Sequence, residues 1–456
     1  MMKLVAPPLA NNDSLSFDND LLNRKDFGER MVGLVRSAST GVVLALDAPW
    51  GEGKTTFVKM WQRMLDDQKI PCVYLDAFEQ DQVDDPFLPL VATIVEFAEK
   101  HASKDNNLQS LLSSMKKNAG RVGVKFLGWA AKVGVRAGTL GILNHTDIGA
   151  LKNFKDDIAK DSASAAEAVI ASHLARFSSD KATLTAFRND LTNLVTQIAA
   201  NSEAPLVFVI DELDRCRPDF AVTLIERIKH VLDVPGIAFL FVLHRSQLEE
   251  AVRGIYGPGI DASGYLAKFI HVWCSLPKRR GPRRNTSDYQ KYCNALYDAH
   301  AITTSPDDED VLRTALPDLS QLFDMSLREM ERLFTNIVVF YSAASKRLPC
   351  VPDLTCALAI IRIRYPAVFA RLREQQIGYR EFEAAVPELK QISEDSENVK
   401  YVQISFKYCL MTDEELLTLS ENPDFKYYGR ELARNATNRQ SLLPLLCKHF
   451  DMFSVE

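Results

Sequence analysis

The sequence predicts an α/β protein built on a doubly wound parallel sheet, with a helical insertion and a mainly helical C-terminal domain. Four short apolar runs lack the polar alternation of a half-exposed strand and read as strands buried on both faces. Helix-compatible stretches lie between them, the alternation expected of parallel strands joined by crossover helices. Beyond about Pro306 the strand signals stop, whereas residues 326–342 and 353–374 keep a helix-forming composition.

In chain order, residues 41–47 (GVVLALD) form the first expected strand and 54–66 the helix after it. Residues 71–76 (PCVYLD) form the second strand, followed by a helix over 86–101. Residues 103–179 are rich in Ser, Ala, Lys and Asp and read as an insertion on the core. A helix over 186–200 leads to the third strand, 206–211 (LVFVID), then a helix over 219–231 and the fourth strand, 237–244 (IAFLFVLH). The expected division is an N-terminal part of the core over 1–102, a helical insertion over 103–180, the rest of the core over 181–300, and a helical lid or C-terminal domain over 301–456. Neither an internal repeat nor a low-complexity tract interrupts this order.

Composition narrows the function classes. With 54 basic against 60 acidic residues and a net charge of -6, the chain is no polycation, so nucleic-acid or membrane contact would need a local patch. The eight cysteines are scattered, with no CxxC pair and no close Cys/His set, which argues against a zinc site or disulfide framework and for a reducing compartment. Pro7 and Pro8 interrupt the first ten residues before they reach the apolar core a signal peptide needs. A cytoplasmic protein is expected, with a peripheral membrane position left open.

Directly after the first strand stands Ala48-Pro49-Trp50-Gly51-Glu52-Gly53-Lys54-Thr55-Thr56, which follows the P-loop pattern GxxxxGK[ST] with Ala48 in place of its first glycine. In such a loop, backbone N–H groups and the following helix N-terminus face anionic phosphate. Gly51 and Gly53 permit close backbone approach, Lys54 reaches the terminal phosphates, and Thr55 offers a hydroxyl to Mg2+. Trp50, Gly51, Glu52, Gly53, Lys54, Thr55 and Thr56 form the expected nucleotide-binding set; a glycine-bearing turn without ligand is the alternative.

The third strand ends in Asp211 and Glu212. A carboxylate at the end of a neighbouring strand is what a P-loop needs to hold Mg2+, and a second one can polarise an attacking water. Asp211 is assigned to magnesium and Glu212 to water activation, the alternative being acids that end a strand and cap the next helix.

Residues 206–218 (LVFVIDELDRCRP) resemble the IDxLDRC signature of the KAP family of P-loop NTPases, and residues 48–57 (APWGEGKTTF) resemble that family's WGxGKT loop. Residues 73–86, 265–269 (YLAKF), 326–336 (SLREMERLFTN) and 357–369 are similar to further family blocks, so the resemblance covers roughly 18–373. It implies an ATPase using ATP and Mg2+, with Arg24 and Asp26 near the adenine and His244 at the place of a polar sensor residue. It also implies that Arg328 or Arg332 is a second-sensor arginine brought to the terminal phosphate by a helical lid; a solvated helix face is the alternative for each. The family context implies membrane-associated or mobile-element settings in prokaryotes, including antiviral defence alongside protein partners encoded nearby.

Between the two motifs, 157 residues separate Lys54 from Asp211, more than the intervening elements require. Many relatives carry membrane-spanning helices here. In this chain the candidate is 120–143, which Lys125, Lys132 and Arg136 interrupt; a cation at mid-bilayer costs about 2.5–3.5 kcal/mol. Arg121, Lys125, Lys132 and Arg136 share one helix face, which suits a packed insertion, a partner-binding helix or a membrane-surface helix. A second basic segment, 278–284 (KRRGPRR), could touch a nucleic-acid backbone, supply an arginine to a neighbouring subunit of a homo-oligomer, or stand as an exposed loop. Three functions stay open: an ATPase driving a conformational cycle, a slow nucleotide-dependent switch acting by protein contact, and a nucleic-acid-dependent translocase or loader. Residues 391–456 carry no recognisable chemical constellation.

Overall fold

The computed structural model describes residues 2–5, 15–37, 41–83, 85–101, 113, 114, 116, 185–197, 204–231, 234–280, 287–343, 351–390, 396–419, 421–435 and 438–451. They fall into two compact units, one comprising Asp26–Ala48 and Phe57–Leu276, the other Met1–Lys25, Pro49–Thr56 and Pro277–Glu456. The expected insertion and its basic helix face at 120–143 lie outside the described residues.

The first unit carries a parallel sheet of five strands: β1 (Val42–Asp47), β2 (Cys72–Asp76), β3 (Leu206–Asp211), β4 (Ile237–Leu243) and β5 (Val272–Ser275). Their order is β2-β3-β4-β1-β5. Every residue of β3 and β4 is buried, as their unbroken apolar runs require of strands covered on both faces. Edge strand β2 alternates in burial instead. Two features depart from the sequence expectation. Strand β3 is not hydrogen-bonded to β1, because β4 lies between them, pairing Leu240 with Leu44 on one side and with Val209 on the other. Strand β5 was not expected: with four residues and only one of them buried, it has no apolar run to announce it.

Helices α1 (Lys25–Ser37), α2 (Lys54–Asp67), α3 (Phe87–His101), α4 (residues 185–197), α5 (Pro218–Val231) and α6 (Arg245–Tyr256) accompany the strands. The buried cluster joins Phe87, Leu90 and Ile94 of α3 and Phe187 and Leu191 of α4 to Phe208, Phe239 and Phe241 of the sheet. Each fully buried side chain of this kind contributes on the order of 1.5–3 kcal/mol. The fully buried Trp61 of α2 donates its indole N–H to the Gly28 carbonyl of α1 at 3.0 Å, which satisfies its polar atom inside the apolar contact.

The second unit is helical: α7 (Asp288–His300), α8 (Pro306–Leu322), α9 (Leu327–Ala343), α10 (Pro352–Arg364), α11 (Pro366–Arg373), α12 (Glu397–Leu410), α13 (Pro423–Asn435) and α14 (Arg439–Asp451). Its helix starts carry local signals, with Ser287, Ser305 and Ser396 accepting N-cap hydrogen bonds and Pro306, Pro352 and Pro366 in first-turn positions. Helix α10 is buried from Asp353 through Ile361, on all faces, so it is the axis around which the others pack. The helix-compatible stretch over 353–374 forms two helices that meet at Tyr365, since Pro366 has no N–H to continue the ladder and starts α11 instead. Helix α7 contributes Tyr289, Tyr292, Cys293 and Leu296 to the helical unit's core. Among the described residues, no helix is long and apolar enough to cross a membrane.

Candidate functional site

The loop between β1 and α2 turns on two glycines. Gly51 and Gly53 have φ of +84° and +77°, left-handed values that L-residues with a Cβ adopt only at a cost. They reverse the chain sharply enough for α2 to begin at Lys54, so the orphan N–H groups of its first turn belong to Lys54, Thr55 and Thr56. The Lys54 ammonium donates to the Pro49 carbonyl at 3.3 Å, across the loop. Thr56 and Trp50 are exposed, Trp50 by 44%. Ala48, which stands where the pattern has glycine, is buried, with its N–H donating to the Leu243 carbonyl at 3.3 Å.

The same unit braces this loop from three directions. Arg24, 4% exposed, donates through Nη1 to the Glu52 carbonyl at 3.1 Å. Burial lowers its guanidinium pKa, opposed by the charges of Asp20, Asp288 and Glu52. Lys278 donates to Glu52 Oε1 at 2.7 Å. From the start of α9, the Arg328 N–H donates to the Gly51 carbonyl at 3.2 Å. That helix start is fixed by a reciprocal cap: Ser326 N–H donates to Glu329 Oε2 at 2.8 Å, and Glu329 N–H donates to the Ser326 hydroxyl at 3.3 Å. Arg364 of α10 then grips Glu329 with two bonds of 3.0 Å and also donates to the Phe323 and Asp324 carbonyls.

The structure separates the two candidate lid arginines. Arg328 is exposed beside Gly51, whereas Arg332, also exposed, makes no hydrogen bond or ion pair with the loop.

In the sheet unit, Asp211 is 1% exposed at the end of β3. Tyr74 donates its hydroxyl to Asp211 Oδ2 at 3.0 Å, and the Glu212 N–H donates to Oδ1 at 2.8 Å. Burial, reinforced by the Asp211 charge, pushes the Tyr74 phenol well above its ordinary pKa, so it remains a donor. These two bonds orient the Asp211 carboxylate at the end of β3. Glu212 has φ of +60° and pairs with Arg215 one turn on. His244 is the N-cap residue of α6 and bonds Ser246 at 3.1 Å; Asp26 is exposed in the first turn of α1. Thr55 and Asp211 are hard oxygen donors of the type Mg2+ takes one or two of from a protein. No cluster of three or more His, Cys, Asp or Glu able to hold a metal occurs among the described residues.

A sequence model of the KAP family P-loop domain matches residues 25–344. The chain belongs to the KAP family of P-loop NTPases. Over 198 residues it is also 24% identical to the phage T7 exclusion protein of Escherichia coli strain K12; that match covers 42% of this chain and 25% of the relative, so the chain spans about a quarter of the relative's length. Among solved structures it is similar to the ORC2 protein of Aeropyrum pernix in its ADPNP-ADP complexes (10% identity, 98% and 95% of the two chains, TM-score 0.33). It is also similar to Cdc6p of Pyrobaculum aerophilum (10% identity, 98% and 99%, TM-score 0.34).

Within this KAP chain the basic segment that began as a candidate nucleic-acid contact is largely committed to the protein itself. Lys278 binds Glu52 and the Met325 carbonyl, Arg279 donates to the Asn23 carbonyl at 2.8 Å, and Arg280 pairs with Asp324 at 2.5 Å. Arg283 and Arg284 lie outside the described residues. Sequence reasoning missed Lys278, Glu329 and Arg364 as supports of the loop. The Ser326-x-x-Glu329 spacing was the available signal, being the capping-box pattern; pairs 226 residues apart, such as Lys278 and Glu52, leave none.

Proposed function

We propose that this chain hydrolyses ATP in a Mg2+-dependent reaction and uses the cycle to change its contact with a protein partner. The observation that carries the reading is the Gly51–Gly53 loop opening onto the first turn of α2, with lid residue Arg328 hydrogen-bonded to it. Lys54 and the N–H groups of the loop bind the phosphates, Thr55 and Asp211 hold the magnesium, and Glu212 orients and deprotonates the water. When bound, Mg2+ supplies positive charge against the phosphate oxygens. Tyr74 keeps the Asp211 carboxylate oriented through its hydroxyl hydrogen bond. Arg328 adds a planar cation at the loop, suited to bidentate contact with phosphate oxygens and so to coupling nucleotide state to the helical unit.

The partial likeness to a phage exclusion protein supports an antiviral setting, with partners encoded nearby. One observation favours a slow switch as the second reading: Glu212 is engaged by Arg215, so a contact that draws Arg215 away would release the activating carboxylate. The committed cations of 278–280 give a nucleic-acid loader no support. Phosphate release by the purified chain with ATP or GTP, with and without Mg2+, tests the primary reading alongside Lys54→Ala. Turnover that persists in Lys54→Ala would overturn it. ATP binding without turnover would leave the switch.

A further inference from the structure

Glu52 poses an electrostatic problem: a carboxylate between the two glycines of a phosphate loop repels the polyanion the loop is to hold. The structure answers it by burial and pairing. Glu52 is 7% exposed, with Oε1 2.7 Å from the Lys278 ammonium and Oε2 buried without a hydrogen-bond partner. Lys278 in turn donates to the Met325 carbonyl at 2.8 Å, lies 3.5 Å from Asp324, and sits 4.8 Å from the Tyr289 ring centroid. These contacts fix the ammonium on α7 and on the turn before α9, so it is a rigid anchor. The Glu52 main chain is tied separately, through its carbonyl, by Arg24.

We propose that Lys278 is a positioning residue of the nucleotide site: it draws the Glu52 carboxylate into the helical unit and cancels its charge, which turns the adjoining N–H groups of the loop toward phosphate. The inference rests on the nucleotide-binding reading above. It assigns a function to a cation that sequence reasoning had placed in a candidate nucleic-acid patch. It also predicts a dependence on phosphate number that a merely structural pair would lack, since repulsion from a mis-set Glu52 grows with ligand charge.

The test is nucleotide binding by calorimetry to the full chain and to Lys278→Met, Glu52→Gln and the double variant, with ATP and ADP as probes. Lys278→Met is expected to weaken ATP binding by about tenfold or more, about 1.4 kcal/mol, and to weaken ADP binding less. Glu52→Gln, which removes the repelling charge, is expected to bind ATP about two- to threefold more tightly than the parent. The double variant is expected to regain most of the affinity lost in Lys278→Met. Equal losses for ATP and ADP in Lys278→Met, or a Glu52→Gln variant that binds ATP more weakly than the parent, would overturn the proposal, and the comparison of Glu52→Gln with the parent decides it even where Lys278→Met does not fold. A parent that binds neither nucleotide overturns the nucleotide-binding reading itself.

Discussion

The backbone N–H of Arg328 donates to the carbonyl of Gly51 at 3.2 Å, and a Cβ placed on Gly51 would stand 2.7 Å from the Arg328 Cβ. The phosphate loop and the first turn of α9 therefore fit each other at backbone level, which makes the arginine's placement independent of its own rotamer.

Two neighbouring arginines on α9 should consequently differ in effect. Arg328→Ala is expected to lower ATP turnover by about two orders of magnitude, the usual loss when one charge-stabilising group is removed. Arg332→Ala, one turn away and without contact to the loop, should stay within about threefold of the parent, as most surface substitutions do. Steady-state phosphate release with both variants checks this, and equal losses would show that the helix rather than Arg328 is what matters.

Gly51→Ala should be severe for reasons of backbone and space together. A non-glycine residue at φ of +84° is strained by about 1–3 kcal/mol, and the added methyl meets the Arg328 Cβ well inside contact distance. Thermal unfolding of the ligand-free variant should show the loss of stability, and its ATP affinity should fall with it. Gly378, whose added Cβ would meet nothing within 4 Å, provides the matched control.

The paired acids should separate binding from chemistry. Glu212→Gln is expected to retain ATP affinity and lose turnover by about 10²-fold or more, in the range of general-base catalysis. Asp211→Asn should instead raise the Mg2+ concentration needed for half-maximal turnover. If Glu212→Gln hydrolyses ATP as fast as the parent, the water-activating role belongs to another group.

Acid sensitivity should trace the Arg364 clamp. Burial would raise the Glu329 pKa, but the Arg364 fork and the Ser326 donors outweigh it and hold the carboxyl below its ordinary value. Asp324 is likewise held low, burial being outweighed by Tyr289, Lys278 and Arg280. A carboxylate with a depressed folded pKa contributes stability that is present above its unfolded pKa and lost as pH falls through the folded one. Denaturant unfolding from neutral to acid pH should therefore show stability falling below the ordinary carboxylate range in the parent. Arg364→Met should be less stable at neutral pH and show a shallower acid-side decline.

The sheet was largely legible because strands buried on both faces must be apolar throughout, and 206–211 and 237–243 met that condition almost residue for residue. Strand order was not: nothing local says that β4 stands between β1 and β3, since that is decided by crossovers and packing. Nor could spacing choose between Arg328 and Arg332, which are one turn apart on the same helix; the choice depends on which turn of α9 meets Gly51. Trp50 to Gly53 lie in the turn between β1 and α2, and Lys54 to Thr56 open the helix itself. The supports behind them come from positions as far along the chain as Arg328 and Arg364 and became visible only once the helical unit was folded.

Trp50 and Trp61 occupy opposite extremes, the first 44% exposed in the phosphate loop and the second wholly enclosed under α1. The loop thus carries its own optical reporter. An aqueous quencher such as iodide reaches the indole of Trp50 and not that of Trp61, so in a chain with Trp129 and Trp273 replaced by Phe the quenchable part of the emission should contract as nucleotide fills the loop, giving occupancy without a label.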